Sequence, residues 1–128
     1  MELKDLLDYE LRSSVRYQRF VSVVMIECLN GSMPIKLKKL LEELIRTSDE
    51  SFEIKEDGLA VLMGETDRNG SLKAVGRYKK KASNGFDMRF AVASYPNDGH
   101  STKNFLKILL RRLEEAKKGK HGAVVASE

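Results

Sequence analysis

The chain has 128 residues, 41% hydrophobic and 33% charged, a balance that fits one folded domain with one core and excludes a disordered chain. Lys and Arg outnumber Asp and Glu by 23 to 19, so the net charge is +4 and anionic partners such as nucleic acids or nucleotides have to be considered. No apolar run is long enough to cross a bilayer, the N-terminal MELKDLLDYELR lacks the layout of a signal peptide, and the single Cys28 rules out an internal disulfide, which together predict a soluble, cytoplasmic protein with no membrane partner.

In chain order, residues 3 to 17 carry Leu3, Leu7, Leu11 and Val15 in steps of four and predict an amphipathic helix. FVSVVMIECL, residues 20 to 29, is short, β-branched and almost continuously apolar, which predicts a central strand buried on both faces, with Cys28 as an inert thiol inside it. Asn30-Gly31-Ser32 breaks that strand, Pro34 suits the first turn of a helix, and leucines at helical spacing continue from Ile35 to Ile45. FEIKEDGLAVLM, residues 52 to 63, alternates up to Asp57-Gly58 and predicts a hairpin turning on that pair. Thr66 to Lys81 predicts a helix with Leu72, Val75 and Tyr78 inward, interrupted by Gly70 and Gly76. A turn at Asn84-Gly85 leads into a strand from Asp87 to Tyr95. After a polar loop, Ser101 or Thr102 caps a last helix carrying Phe105, Leu106, Leu109, Leu110 and Leu113. Gly119 ends it, and Ala123 to Ala126 forms a short closing strand.

The predicted order is a helix followed by β-α-β-β-α-β-α-β over one domain, residues 1–128. This is a ferredoxin-like α/β sandwich with crossover helices on one face of a central sheet and an antiparallel hairpin inside it. Basic clusters at Lys36/Lys38/Lys39, Lys79-Lys80-Lys81, Arg111-Arg112 and Lys117-Lys118/Lys120 mostly lie near acids, as in RRLEEAKK. They predict solvated helix faces, and with no nucleic-acid-binding motif present no nucleic-acid partner is expected. His100 and His121 stand in polar loops without partners at metal or triad spacing, and no nucleophile motif, P-loop or G-x-G-x-x-G run occurs.

Several stretches in matching order and spacing resemble the GGDEF domain of diguanylate cyclases. LRSSVRYQRFVSVVMIE is similar to that family's helix and first strand, FAVASYPNDGHST to its strand and loop after the hairpin, and EEAKKGKHGAVV to its closing A-K-x-x-G-R-N pattern. The resemblance covers nearly the whole chain. It implies a domain whose active members join two GTP molecules into cyclic di-GMP with a divalent metal, held by an acid at the end of the first strand and an acid in the signature turn. The two signature glycines let the nucleotide approach the backbone.

Against that pattern the five signature positions read Lys55-Glu56-Asp57-Gly58-Leu59, with both glycines replaced and the second acid replaced by Gly58. Glu27 stands where the metal-binding aspartate belongs, so Glu27 and Asp57 are the residual acid pair, fewer oxygen ligands than a hard cation takes. The D-F-K-x-x-N-D-x-x-G-H-x-x-G-D-like segment after the first strand is missing: Leu29 to Met33 runs almost directly into the next helix. The resemblance therefore implies a catalytically inactive GGDEF-like domain, without a cofactor, in a regulatory or protein-interaction role. A protein partner or a homodimer is the expected assembly.

One family feature is retained. Arg46-Thr47-Ser48-Asp49 matches the R-x-x-D motif at its usual spacing from the signature, and the resemblance implies a ligand site for cyclic di-GMP at Arg46 and Asp49. The residues themselves also suit a helix C-terminal turn and the loop after it. Glu53 stands where the family often has an arginine near that site. Lys117 and Lys120 occupy positions where family members contact the triphosphate, and with the nucleotide segment absent they are expected to solvate the helix end. A residual nucleotidyl cyclase using Glu27 and Asp57 is the third reading.

Overall fold

The computed structural model describes residues 2–29, 35–54, 58–82 and 86–127. The strand called for by the run VSVVMIEC is β1 (Val21–Cys28), buried at every position. It is the middle of a five-stranded sheet, pairing antiparallel with β3 (Gly58–Gly64) on one edge and β4 (Met88–Tyr95) on the other. Outside these lie β2 (Asp49–Glu53), antiparallel to β3, and the two-residue β5 (Val124–Val125), parallel to β4, giving the order β2-β3-β1-β4-β5.

Alternation along β1 divides the core. Val24, Ile26 and Cys28 face α2 (Ile35–Glu42) and α3 (Arg68–Lys81), while Val21, Val23 and Met25 face α1 (Leu3–Tyr17) and α4 (Thr102–Lys117). Helices thus cover both faces of the sheet, not one face as the element order had suggested, and the α/β architecture is otherwise as expected. Phe105, Leu109, Leu7 and Leu37 are fully buried, each contributing about 1.5–3 kcal/mol by leaving water.

The helix ends follow local chemistry. Asp67 caps α3, which begins at Arg68 and not at the expected Thr66, its Oδ1 accepting from the Gly70 N–H at 2.8 Å, and Ser101 caps α4 through the Asn104 N–H at 3.3 Å. α1 closes at Gln18, in the left-handed region with φ 54°, whose N–H donates to the Ser14 carbonyl. Its buried stripe is Leu7, Leu11 and Ser14, and Val15 is half exposed. α2 stops at Glu42, short of the expected Ile45. Leu44 and Ile45 donate to carbonyls three residues back, tightening the chain into turns before β2. Leu72 and Leu110 lie on the solvent side of their helices, where apolar residue type misled the pattern.

The hairpin does not turn on Asp57-Gly58. Glu53 pairs with Leu59, the Ile54 N–H donates to the Gly58 carbonyl, and Gly58 is a buried residue of β3. A Cβ at position 58 would stand 2.6 Å from the Ile54 carbonyl oxygen, so close strand approach requires glycine there. Asp57 itself, with Lys55 and Glu56, lies outside the described residues, as do the turn segments at 30–34 and 83–85.

A buried ion pair ties the loop after β4 to α4. Both guanidinium nitrogens Nη1 and Nη2 of Arg112 reach the Asp98 carboxylate, at 2.9 and 2.7 Å, and Nη1 also donates to the Val92 carbonyl at 2.8 Å. The Ser94 N–H donates to Asp98 Oδ2 at 2.9 Å. Burial pushes the Asp98 carboxyl up, but the bonds from Arg112 and Ser94 and the charges of Arg112 and Arg68 outweigh it and hold the group below its ordinary value. A carboxyl depressed on folding stabilises the fold above its unfolded value and loses that contribution as pH falls through the folded one. Asp98→Ala, which strands the buried Arg112 guanidinium, is expected to cost about 3–5 kcal/mol in urea unfolding at neutral pH. That deficit should shrink as the pH is lowered below about 4; a deficit constant across the acid range would contradict the assignment.

Candidate functional site

The two ends of β1 carry different polar arrangements. At one end, the register sets Glu27 between Gly58 of β3 and Arg89 of β4. A carboxylate at the end of a strand paired on both sides is shut off from water (Glu27 is 7% exposed), and it requires a cation. Lys117, on the last turn of α4, supplies it: Nζ lies 2.7 Å from Glu27 Oε2 and 3.0 Å from Glu114 Oε1. The hydrogen bond to Glu27 holds the Lys117 ammonium above the ordinary lysine range against the opposing effect of its partial burial. Lys117 thus reaches across to the sheet, where the sequence suggested only a solvated helix end.

Arg89 beside it is also buried, and its guanidinium holds the neighbouring turns together. Nη1 donates to Asp87 Oδ1 and to the Met88 carbonyl, and Nη2 to the Gly119 carbonyl at 3.1 Å. The bond from Arg89 draws the exposed Asp87 carboxyl below its usual range, and His121 Nδ1 approaches the same oxygen at 3.3 Å. His121 therefore has a carboxylate partner that the sequence did not reveal.

Among the described residues, this end of the sheet does not fit a divalent cation. The one carboxylate placed there from β1 is neutralised by an ammonium, and a buried guanidinium occupies the next strand in register. Among the described residues no group of three or more His, Cys, Asp or Glu side chains converges.

At the other end of β1, Asp49 pairs with Met63, which pairs with Ser22. Ser22 and Glu27 are five positions apart, roughly 17 Å along the strand, so the two sites stay separate. Arg46 and Asp49 do meet, and they meet each other. Arg46 Nε and Nη2 donate to the two carboxylate oxygens of Asp49 at 3.3 and 3.2 Å, and the Arg46 N–H adds a third bond at 3.3 Å. The Asp49 N–H returns to the Arg46 carbonyl at 2.9 Å. Asp49 is the first residue of β2 and its side chain is only 3% exposed; that of Arg46 is 50% exposed. The hydrogen bond to Asp49 is the main cause of the raised Arg46 pKa.

Thr66 extends the arrangement. Its hydroxyl accepts from Arg46 Nη2 at 2.5 Å and donates to the Gly64 carbonyl, while its own carbonyl accepts from Ser22 Oγ at 2.8 Å. Ser22 Oγ is in turn 2.8 Å from Ser94 Oγ across the sheet. R-x-x-D is therefore a closed turn lock anchored in the strands, and Arg46 is the member open to solvent. Glu53 is turned to Lys38 in an ion pair on the edge of β2.

Beside Arg46 lies a cavity of about 310 Å³, lined by Phe20, Met63, Thr66, Lys73 and Arg77 among others. Sequence reading missed Phe20, Lys73 and Arg77. The available signal was the i,i+4 spacing of Lys73 and Arg77, which sets both on one side of α3.

No protein-family model and no curated protein matches the chain. Solved structures do. The GGDEF domain of TpbB (YfiN) from Pseudomonas aeruginosa is 15% identical, with a TM-score of 0.84 over 98% of this chain and 87% of that one. The active GGEEF domain of a diguanylate cyclase from Vibrio cholerae is 12% identical, with a TM-score of 0.82 over 98% and 94%. The diguanylate cyclase SiaD of P. aeruginosa, solved with its activator SiaC, is 14% identical, with a TM-score of 0.82 over 98% of this chain and 56% of that one. The chain has the fold of GGDEF domains.

Proposed function

We propose that this chain is a GGDEF-fold domain that has lost cyclase chemistry and works as a regulatory or protein-interaction module. The observation that carries this reading is the Glu27–Lys117 pair at 2.7 Å. Where the family resemblance calls for an acid free to hold a metal, the acid is engaged by a lysine of the same chain. The sequence supports the reading further. Long charged side chains stand at the signature glycines, and the stretch after β1 leaves out the segment that grips the nucleotide. A role through protein contact has a precedent in SiaD, a protein of the same fold solved bound to an activator.

The purified protein, given GTP with magnesium or manganese, is expected to produce no cyclic di-GMP above a no-enzyme control. Product formation abolished by Glu27→Gln would overturn the proposal in favour of a residual cyclase.

A second reading, a cyclic di-GMP receptor at Arg46 and Asp49, is favoured by the half-exposed Arg46 guanidinium at the mouth of a cavity that Lys73 and Arg77 also line. Asp49, spent on three bonds from Arg46, positions the arginine and offers little to a guanine edge. On this reading calorimetric titration with cyclic di-GMP gives saturable heat that Arg46→Ala removes, whereas Asp49→Asn weakens it in step with lost stability. Absence of heat at high micromolar ligand, with the fold intact, disposes of the receptor reading and leaves the first one standing.

A further inference from the structure

The expectation that acids offset this protein's basic residues fails at one element. α3 contains Arg68, Lys73, Arg77, Lys79, Lys80 and Lys81 and no Asp or Glu. Of these, Arg68 approaches Asp98 at 3.9 Å, and the other five make no ion pair with any described residue. Helical periodicity puts Gly70, Lys73, Arg77, Lys80 and Lys81 on one side, the side on which Gly70, Lys73, Ala74 and Arg77 line the cavity beside Arg46. From Lys73 to Lys81 the row runs roughly 12 Å along the helix.

Aromatic groups stand next to this row. Phe20, 47% exposed, forms one wall of the cavity. Tyr17, 58% exposed, has the guanidinium groups of Arg16 and Arg19 at 5.6 and 5.3 Å from its ring centre, and Arg19 reaches Glu65 at the cavity rim at 3.9 Å. The rim also carries Asp67, whose Oδ1 accepts from the Gly70 N–H.

We propose that this surface binds single-stranded nucleic acid, RNA or DNA, with phosphates along Lys73, Arg77, Lys80 and Lys81, a base stacked on Phe20, and Arg46 at the turn between them. A cationic track beside exposed aromatic faces is the chemistry by which proteins hold single strands without a sequence motif. Glu65 and Asp67 on the rim can accept hydrogen bonds from base amino and imino groups, a contact that lipid phosphates do not offer. The concave wall of Phe20 suits an unstacked base, which a duplex does not offer. The proposal goes beyond the regulatory reading and shares the cavity and its cations Arg46, Lys73 and Arg77 with the cyclic di-GMP reading.

The test is fluorescence anisotropy with labelled uridine and thymidine oligonucleotides of roughly 12 nucleotides, within the site sizes such surfaces cover. Affinity is expected to fall with salt with a log–log slope of about −2 to −3, the release expected from three or four phosphates on a single strand. Replacing Lys73 and Arg77 together by Gln should weaken binding at least tenfold and flatten the slope. Phe20→Ala should weaken it about fivefold or more, and Phe20→Tyr should restore it. These side chains are largely exposed, so circular dichroism should show all variants folded. No binding at low salt overturns the proposal, as does equal affinity for a duplex of the same length, or indifference to both sets of variants. Binding to phosphatidylserine vesicles without oligonucleotide binding also overturns it, in favour of a membrane surface. Cyclic di-GMP binding without oligonucleotide binding overturns it too, and leaves the receptor reading standing.

Discussion

Burying a carboxylate at the end of a fully paired central strand obliges the fold to bring a positive charge to it. Glu27 is that carboxylate and Lys117 brings the charge. The lysine sits on the last turn of α4, so the pair also fixes where that helix ends relative to β1, while Arg89 from the neighbouring strand holds the turn at Gly119 by its carbonyl. A buried ion pair contributes little net stability, but removing one partner is costly because it strands the other charge. The arrangement therefore resists loss of either member, and it leaves the acid of β1 engaged by a lysine. On the proposed reading, the same side-chain chemistry that completes the fold works against metal-dependent chemistry at this end of the sheet.

The opposite end of β1 is organised differently. There, hydrogen bonds run from Arg46 through Thr66 and Ser22 to Ser94, and the Ser94 N–H passes to Asp98 and so to Arg112. Polar groups in the core are satisfied in sequence from the α2–α3 side of the sheet to the α4 side, as buried hydroxyls require. Asp49 serves this network by holding Arg46, which leaves the guanidinium at the surface pre-oriented, with little freedom to lose when an anion arrives. A motif that reads as a ligand site can thus be a structural lock with one exposed member.

The chain's periodicity reached the architecture because strands buried on both faces and helices with one apolar stripe leave strong patterns. β1, β4, α1 and α4 begin and end within a residue or two of where residue type put them. It failed where geometry overrides residue type. Leu72 and Leu110 point to solvent, α2 gives up its last turn to tight turns leading into β2, and Gly58 serves as a paired strand residue where the Ile54 carbonyl leaves no room for a Cβ. For the site, the sequence could bring Arg46 and Asp49 together, since they are three residues apart. It could not pair Glu27 with Lys117, or Arg46 with Thr66, because those contacts join elements far apart in the chain. Nor could it show that α3, read as one more lysine-rich helix, carries five cations with no ion-pair partner among the described residues.

The central proposal is that the acid end of β1, with Glu27 engaged by Lys117, does not take a divalent ion. Manganese titration followed by electron paramagnetic resonance reads this directly, because bound Mn²⁺ loses the sharp signal of the free ion. The account predicts an undiminished free-ion signal for the protein at neutral pH up to millimolar metal. Stoichiometric loss of signal that Glu27→Gln abolishes would contradict it.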